Sequence, residues 1–238
     1  MVKDKYKYYK YLNQVDVSVK SNIFDFGGVI FNIDHRKVEN AYRKLGMDNF
    51  DLMFNQATQA ELFRQFETGH ITPATFRDRL REISGLRVDD DLLDHTWNQI
   101  LCDYPPHRIK LLLRIRKNYR LYLLSNTNTI HYQHYISRFT MEFGYDFNEL
   151  FDDAFWSFKI GKRKPDPDPY LHILEKHRLN PGETLFIDDS IQNIIAAEKL
   201  NILAFHLEDG TDVSGLFDNG RLRQDILEQV IEKKHKKE

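Results

Sequence analysis

The chain has 238 residues, 41% of them hydrophobic, and a formal net charge of -2. That is enough chain for one sizeable core, alone or with an insertion, and the charge is too evenly balanced to argue for nucleic acid or a membrane surface as partner. Cys102 is the single cysteine, which excludes an intramolecular disulfide and fits a reducing, cytoplasmic setting, and no apolar run approaches the length of a membrane span.

Residues 1–20 read as an N-terminal extension. Lys3, Lys5, Lys7 and Lys10 interleave with Tyr6, Tyr8, Tyr9 and Tyr11. Such an arm can serve a nucleic acid or a partner, but a solvated extension is the simpler reading, since terminal segments are commonly poorly ordered. The stretch has no apolar core segment, so no secretory signal is expected in it. The first strand signal is Ile23-Phe24-Asp25-Phe26-Gly27-Gly28-Val29-Ile30. Ile23 and Phe24 suit a strand covered on both faces. Asp25 follows them, and Gly27 and Gly28 allow a sharp turn and a close approach to the backbone. A carboxylate at the carboxyl end of a central strand is where open α/β sheets place their chemistry, although an aspartate that only caps a turn would look similar.

From Asp34 to about Cys102 the pattern is helix upon helix. Val38, Ala41, Tyr42 and Leu45 recur at helical spacing, with Gly46 where the chain should leave the helix. Phe50 to Phe66 gives a second helical stretch. Thr72-Pro73 opens a third as N-cap and first-turn proline, with Phe76, Leu80 and Ile83 as its stripe. Asp89 to Asp91 precede a fourth carrying Leu92, Leu93, Trp97, Ile100 and Leu101. Four helices with no strand between them predict a helical cap domain over residues 34–103, inserted into a core made of 21–33 and 104–238.

Beyond Pro105 helices and strands alternate. A helix over Ile109–Ile115 precedes a strand at Leu121–Leu124, then a helix from Thr129 to Phe139 and a short strand at Ala154–Ser157. Tyr170–His177 is helical, Thr184–Ile187 a strand, Ile191–Leu200 a helix and Ile202–Phe205 a strand. The chain closes in an amphipathic helix over Leu222–Lys234. The fold class is therefore α/β, a Rossmann-like parallel sheet with helices on both faces.

Three of these strands end in polar residues: Asp25, Ser125-Asn126 and Asp188-Asp189. Lys164 lies in the loop Gly161-Lys162-Arg163-Lys164-Pro165-Asp166-Pro167. In a parallel sheet those ends point one way and converge on one crevice. Three carboxylates in one place repel unless a cation holds them, and hard carboxylate oxygens beside a phosphate suit Mg²⁺. Ser125 and the backbone at the following helix start suit a phosphate, and Lys164 adds a positive charge. Together they read as a phosphoryl-transfer site.

In order, Asp25, Leu123-Leu124-Ser125-Asn126, Lys164-Pro165-Asp166 and Phe186-Ile187-Asp188-Asp189 resemble the four motifs of the haloacid dehalogenase superfamily, spanning about Ile23 to Phe205. Asp-Phe-Gly-Gly-Val-Ile, Leu-Ser-Asn-Thr-Asn and Arg-Lys-Pro-Asp-Pro most resemble the branch that contains the α-D-glucose-1-phosphate phosphatase. The resemblance implies a Mg²⁺-dependent phosphatase of small phosphorylated metabolites, sugar phosphates first among them, acting as a monomer or weak dimer. It implies Asp25 as nucleophile, forming an aspartyl phosphate that water then hydrolyses. It implies Mg²⁺ on Asp25, Asp188, Asp189 and the Gly27 carbonyl, with Ser125, Asn126 and Lys164, beside the backbones of Gly27 and Gly28, around the phosphoryl group.

One position departs from the pattern. Most phosphatases of the superfamily carry a second aspartate two residues after the nucleophile, and here that residue is Gly27. Losing a general acid forfeits roughly 10²–10⁴-fold for a poor leaving group. Either the leaving group is good, or another residue such as Asp34 or His35 supplies the proton, or the protein turns over slowly and serves as a binding or regulatory relative. A dehalogenase is disfavoured, because attack on carbon needs no metal. Asp34 is equally placed to be a helix N-cap. The loop Glu67-Thr68-Gly69-His70 is a candidate substrate contact. His131 and His134 are three apart but lack a third soft ligand nearby for zinc. Trp97 and Trp156 read as core or interface residues.

Overall fold

The computed structural model describes residues 18–47 and 57–235. The tyrosine-lysine arm and the first part of the second predicted helix lie outside these residues. Five strands, β1 (Ser21–Phe24), β2 (Arg120–Ser125), β3 (Asp153–Trp156), β4 (Thr184–Asp188) and β5 (Leu203–His206), form one sheet in the order β3-β2-β1-β4-β5. All four pairings are parallel. Successive residues of the central strands enter opposite cores, as a period of two requires. Phe24, Leu121, Leu123, Leu185 and Ile187 face one cluster, while Ile23, Tyr122, Leu124 and Phe186 face the other. Burying each such side chain contributes about 1.5–3 kcal/mol, which is why these strands carry no polar alternation.

Ten α-helices accompany the sheet among the described residues: α1 (His35–Lys44), α2 (Ala57–Glu67), α3 (Pro73–Ser84), α4 (Asp90–Trp97), α5 (Pro106–Ile115), α6 (Thr129–Phe143), the single turn α7 (Ser157–Ile160), α8 (Asp168–His177), α9 (Ile191–Lys199) and α10 (Gln224–His235). Residues of α5, α6 and α10 cover one face of the sheet and residues of α8 and α9 the other. The capping signals act as expected. Thr72 accepts from the Thr75 amide ahead of Pro73, and Asp89 accepts from the Leu92 amide. The helix predicted to stop at Phe139 runs on to Phe143, where Gly144 in the left-handed region ends it.

Helices α1–α4 share a third core built from Val38, Tyr42, Leu62, Phe66, Phe76, Leu80 and Leu93, joined from α6 by Ile130. The chain leaves the sheet and returns to it along two antiparallel segments. Asn32 and Asp34 donate to Asp103 and Ile100, and Cys102 donates to Asn32. Not expected from the sequence are α7, which starts at Ser157 where the predicted short strand ends, and a hairpin near the carboxyl end of the chain. β6 (Phe217–Asp218) and β7 (Arg221–Leu222) form a hairpin ahead of α10, so the predicted final helix begins two residues later. Its turn is Asn219-Gly220, both at positive φ, and Asn-Gly is the strongest short hairpin signal a sequence carries.

Candidate active site

The sheet order puts β1 between β2 and β4, so the residues that follow them meet at the point where the winding reverses. Asp25 leaves β1 with its amide on the Ile187 carbonyl at 2.9 Å. Asp188 ends β4 and is fully buried. The Lys164 ammonium, also buried, lies 2.6 Å from Asp25 Oδ1 and 2.6 Å from Asp188 Oδ2. Asp188 is held from behind as well. Its Oδ1 accepts from the Ser190 amide at 2.7 Å, and the Asn193 amide group reaches both oxygens at 3.0 Å. Ser190 and Asn193 escaped the sequence reading; their signal is position, since a side chain in the first turn after a strand-end aspartate can fold back onto it.

Lys164 is fixed by Asn126. The Asn126 side chain donates to the Lys164 carbonyl at 2.8 Å and accepts from the Lys164 amide at 2.9 Å. Each end of that amide thus makes one hydrogen bond to the backbone of the lysine, so Asn126 holds Lys164 in place. Ser125, at the end of β2, is buried beside it. The turn after Ser125 is locked by Ser157, whose hydroxyl accepts from the Thr127 amide and donates to the Thr127 carbonyl.

The two glycines divide their work. Gly28 has φ +78, and a Cβ there would lie 2.1 Å from Asp189 Oδ2. Its amide donates to the Phe31 carbonyl at 2.9 Å. Gly28, expected among the phosphate-binding groups, therefore supplies room for Asp189 rather than a free N–H. Gly27 has no such backbone constraint, and a Cβ there would meet Ile33 Cδ1 at 3.3 Å.

Asp25, Asp188 and Asp189 each bring a carboxylate oxygen within 4.8 Å of the others. Three carboxylates face one ammonium. Burial pushes the Asp25 carboxyl well above the ordinary range, Lys164 opposes this, and Asp188 and Asp189 add to it. Asp189 is raised too, by burial and by Asp188. Burial alone would lower Lys164, but Asp188 and Asp25 outweigh it and hold the ammonium firmly charged. The site is short of positive charge and rich in hard oxygen donors, which is what a hard divalent cation fits.

The remaining candidates divide between this site and its surroundings. Asp34 caps α1, accepting from the Arg36 amide at 3.0 Å. The Arg36 hydrogen bond holds its carboxyl below the usual range, the reverse of what a proton donor needs. His35 lines a cavity of about 340 Å³ shared with Asp25, Lys164 and Asp189. Gly27, Ile33, His35 and Asn126 also line a second cavity of about 480 Å³ that extends under α1, α2 and α4. Glu67 lines that second cavity and pairs with Arg163 at 3.1 Å, while Thr68-Gly69 packs against the α7 backbone. His131 stands on the wall of the second cavity. Trp156 is core, and Trp97 stacks on His131 across the interface between α4 and α6.

A family model described as haloacid dehalogenase-like hydrolase matches residues 19–201. The D-ribitol-5-phosphate phosphatase of Bacteroides thetaiotaomicron is 30% identical over 194 residues, 82% of this chain and 94% of that protein. A sesquiterpene phosphatase of Aspergillus oryzae is 30% identical over 193 residues, 80% of this chain and 90% of that one. The crystal structure of a haloacid dehalogenase family enzyme from Bacteroides thetaiotaomicron superposes with a TM-score of 0.80 at 35% identity, covering 84% of this chain and 99% of that one. That enzyme has also been solved with magnesium, and with magnesium and inorganic phosphate. The finer resemblance to the α-D-glucose-1-phosphate phosphatase branch gains no support from these relatives. Among the described residues no helix is long and apolar enough to cross a membrane.

Proposed function

This chain belongs to the haloacid dehalogenase-like hydrolase family, and from that premise we propose that it is a Mg²⁺-dependent phosphatase of small phosphate monoesters with Asp25 as its nucleophile. The observation that carries the reading is the buried Lys164 ammonium, 2.6 Å from both Asp25 and Asp188 with Asp189 beside them. Asp25, Asp188, Asp189 and the Gly27 carbonyl would hold the metal. When bound, it supplies the missing positive charge beside the phosphoryl oxygens.

The chain's own groups then divide as follows. Lys164 turns Asp25 Oδ1 toward the substrate and shares its charge with the phosphoryl group. Asn126 keeps Lys164 in place, and Ser125 donates its hydroxyl to a phosphoryl oxygen. Asp25 attacks phosphorus, the P–O bond to the organic group breaks, and that oxygen leaves with the bonding pair. Water then attacks the phosphorus of the aspartyl phosphate, the acyl oxygen leaves, and free Asp25 returns with inorganic phosphate. Residues 34–103 act as a cap, opening for exchange and closing to exclude water. The two-phosphatase kinship, to a sugar-alcohol phosphatase and a sesquiterpene phosphatase, supports phosphate monoesters as the class. Turnover with Mg²⁺ by wild type but not by Asp25→Asn tests the reading; equal turnover by both would overturn it.

A further inference from the structure

The second cavity has a composition that the phosphatase reading does not explain. Its volume is about 480 Å³, within the range of sites that enclose drug-sized molecules. It shares Gly27, Ile33, His35 and Asn126 with the cavity that holds Asp25, Lys164 and Asp189, so it is the space next to the carboxylate site that the organic group of a phosphate ester could occupy. Phe26, Ile33, Val38, Phe63, Ile100 and Leu101 form much of its wall, with the Trp97 indole.

The polar side chains on that wall mostly face one another. Glu39 pairs with Arg43 at 2.9 Å and Glu67 with Arg163 at 3.1 Å. Tyr135 donates to Thr127 at 3.2 Å. Asn128 caps α6 and its amide meets His131 Nδ1 at 3.1 Å, while His131 Nε2 meets the Trp97 carbonyl at 3.2 Å. With Nε2 carrying the proton, His131 has both ring nitrogens satisfied as a neutral ring. Asn126 holds Lys164. Ser125 is assigned to the phosphate, which leaves His35 at the mouth and Glu67 Oε2, ion-paired with Arg163 but without a hydrogen bond, as the polar atoms a ligand could meet.

A polyol chain entering this space would surrender water from each hydroxyl and find few new partners, whereas a hydrocarbon surrenders nothing. We infer that the organic group of the substrate is an apolar hydrocarbon body rather than a polyol, with the cap helices as its binding wall. This rests on the phosphatase reading and narrows it, away from the sugar phosphates that the sequence suggested.

The test uses the full chain with Mg²⁺ and n-alkyl phosphates from propyl to decyl, whose leaving oxygens are nearly equally basic, beside ribitol 5-phosphate. Acetyl phosphate serves as a substrate that needs only the carboxylate site. We expect kcat/KM to rise about fourfold per methylene until the cavity is full, and hexyl phosphate to exceed ribitol 5-phosphate by about a hundredfold. Leu101→Phe should move the end of the rise to a shorter chain. A flat series, or ribitol 5-phosphate equal to hexyl phosphate, would overturn the inference. Failure of every ester and of acetyl phosphate would overturn the phosphatase reading instead. Calorimetry with the matching alkylphosphonates then decides the inference independently: Kd tightening with length supports it, and Kd independent of length defeats it.

Discussion

The carboxylate site and the cavity above it are neighbours built on opposite principles. At the carboxylate site, charge is concentrated and desolvated: three carboxylates share one ammonium, with Asp188 completely out of water. In the cavity, charge is paired locally, carboxylate against guanidinium, and the neutral His131 imidazole is hydrogen-bonded to the Asn128 amide, before any ligand arrives. The difference follows from where each is anchored. The first stands on strand ends and one loop, which main-chain pairing between neighbouring strands holds in register. The second is walled in large part by side chains of α1, α2, α4 and α6, together with Phe26, Ile33 and Leu101 from the connecting segments, where shape is set by packing. On the function proposed above, one region would stabilise developing charge on phosphorus, and the other would hold what carries the phosphate.

The largest effect that could break this contrast is at Asp25, the proposed nucleophile. Asp25→Asn should remove phosphatase activity by at least about 10⁴-fold, since an amide does not attack phosphorus. The fold should survive. Asn keeps an acceptor for Lys164 and removes a charge that burial already disfavours, so thermal unfolding should be unchanged or slightly later. Turnover near wild type would show that chemistry occurs elsewhere.

Next in size is Asn126→Ala. The two hydrogen bonds that hold the Lys164 backbone would be lost, and a loosely held lysine should lower kcat by about 10–100-fold, on the scale of an outer partner of a site. KM should move far less, because the ground-state phosphate keeps Ser125. A rise in KM with kcat intact would mean that Asn126 binds substrate directly.

Asn126 also shows how much the sequence could say. Its place in Leu-Ser-Asn after a strand was legible, because a strand end before a helix start is a readable location. Its task was not, since which way an amide turns depends on a loop 38 residues away. The same holds for Asp34, whose two sequence readings, cap and acid, were separated only by the Arg36 contact. The sheet was legible because Leu121–Leu124 and Leu185–Ile187 are apolar without interruption, and a doubly covered strand requires that. The wall of the second cavity was not legible. Helical periodicity marks Val38, Phe63, Trp97 and Leu101 as apolar, but not which of them line an opening rather than fill a core.

A smaller effect concerns the neutrality of that wall. Burial holds His131 down to about 4, with the Trp97 carbonyl opposing and His134 assisting. The unfolded chain binds this proton near pH 6.5 and the folded chain does not until about pH 4. Between those values the unfolded state carries more protons, so folding stability rises with pH there and is lost as pH falls. The contribution is on the order of 2–3 kcal/mol at neutral pH. Urea unfolding from pH 4 to 7 should show a shallower slope in His131→Phe than in wild type, by close to one proton. Identical slopes would mean that His131 titrates normally and the wall is not kept neutral by it.

The smallest expected effect is at Gly27, where the two regions touch. With no acid at this position, the leaving oxygen departs with little proton help, so acetyl phosphate should outrun any alkyl phosphate of similar size, and the rate should fall steeply with leaving-group basicity. The backbone of Gly27 is not in the left-handed region, so a side chain is conformationally allowed. The obstacle is Ile33, whose Cδ1 would lie 3.3 Å from the new Cβ. Gly27→Asp should therefore recover only about tenfold on hexyl phosphate and nearly nothing on acetyl phosphate, well short of the full value of a positioned acid. Ile33→Val removes Cδ1, and the double variant should recover more on hexyl phosphate than Gly27→Asp alone, again without helping acetyl phosphate. If neither variant changes the ratio of the two rates, and wild type shows no dependence on leaving-group basicity, then the proton already comes from a group on the wall of the second cavity. In that case Glu67, whose carboxyl burial raises despite Arg163, is the residue to replace.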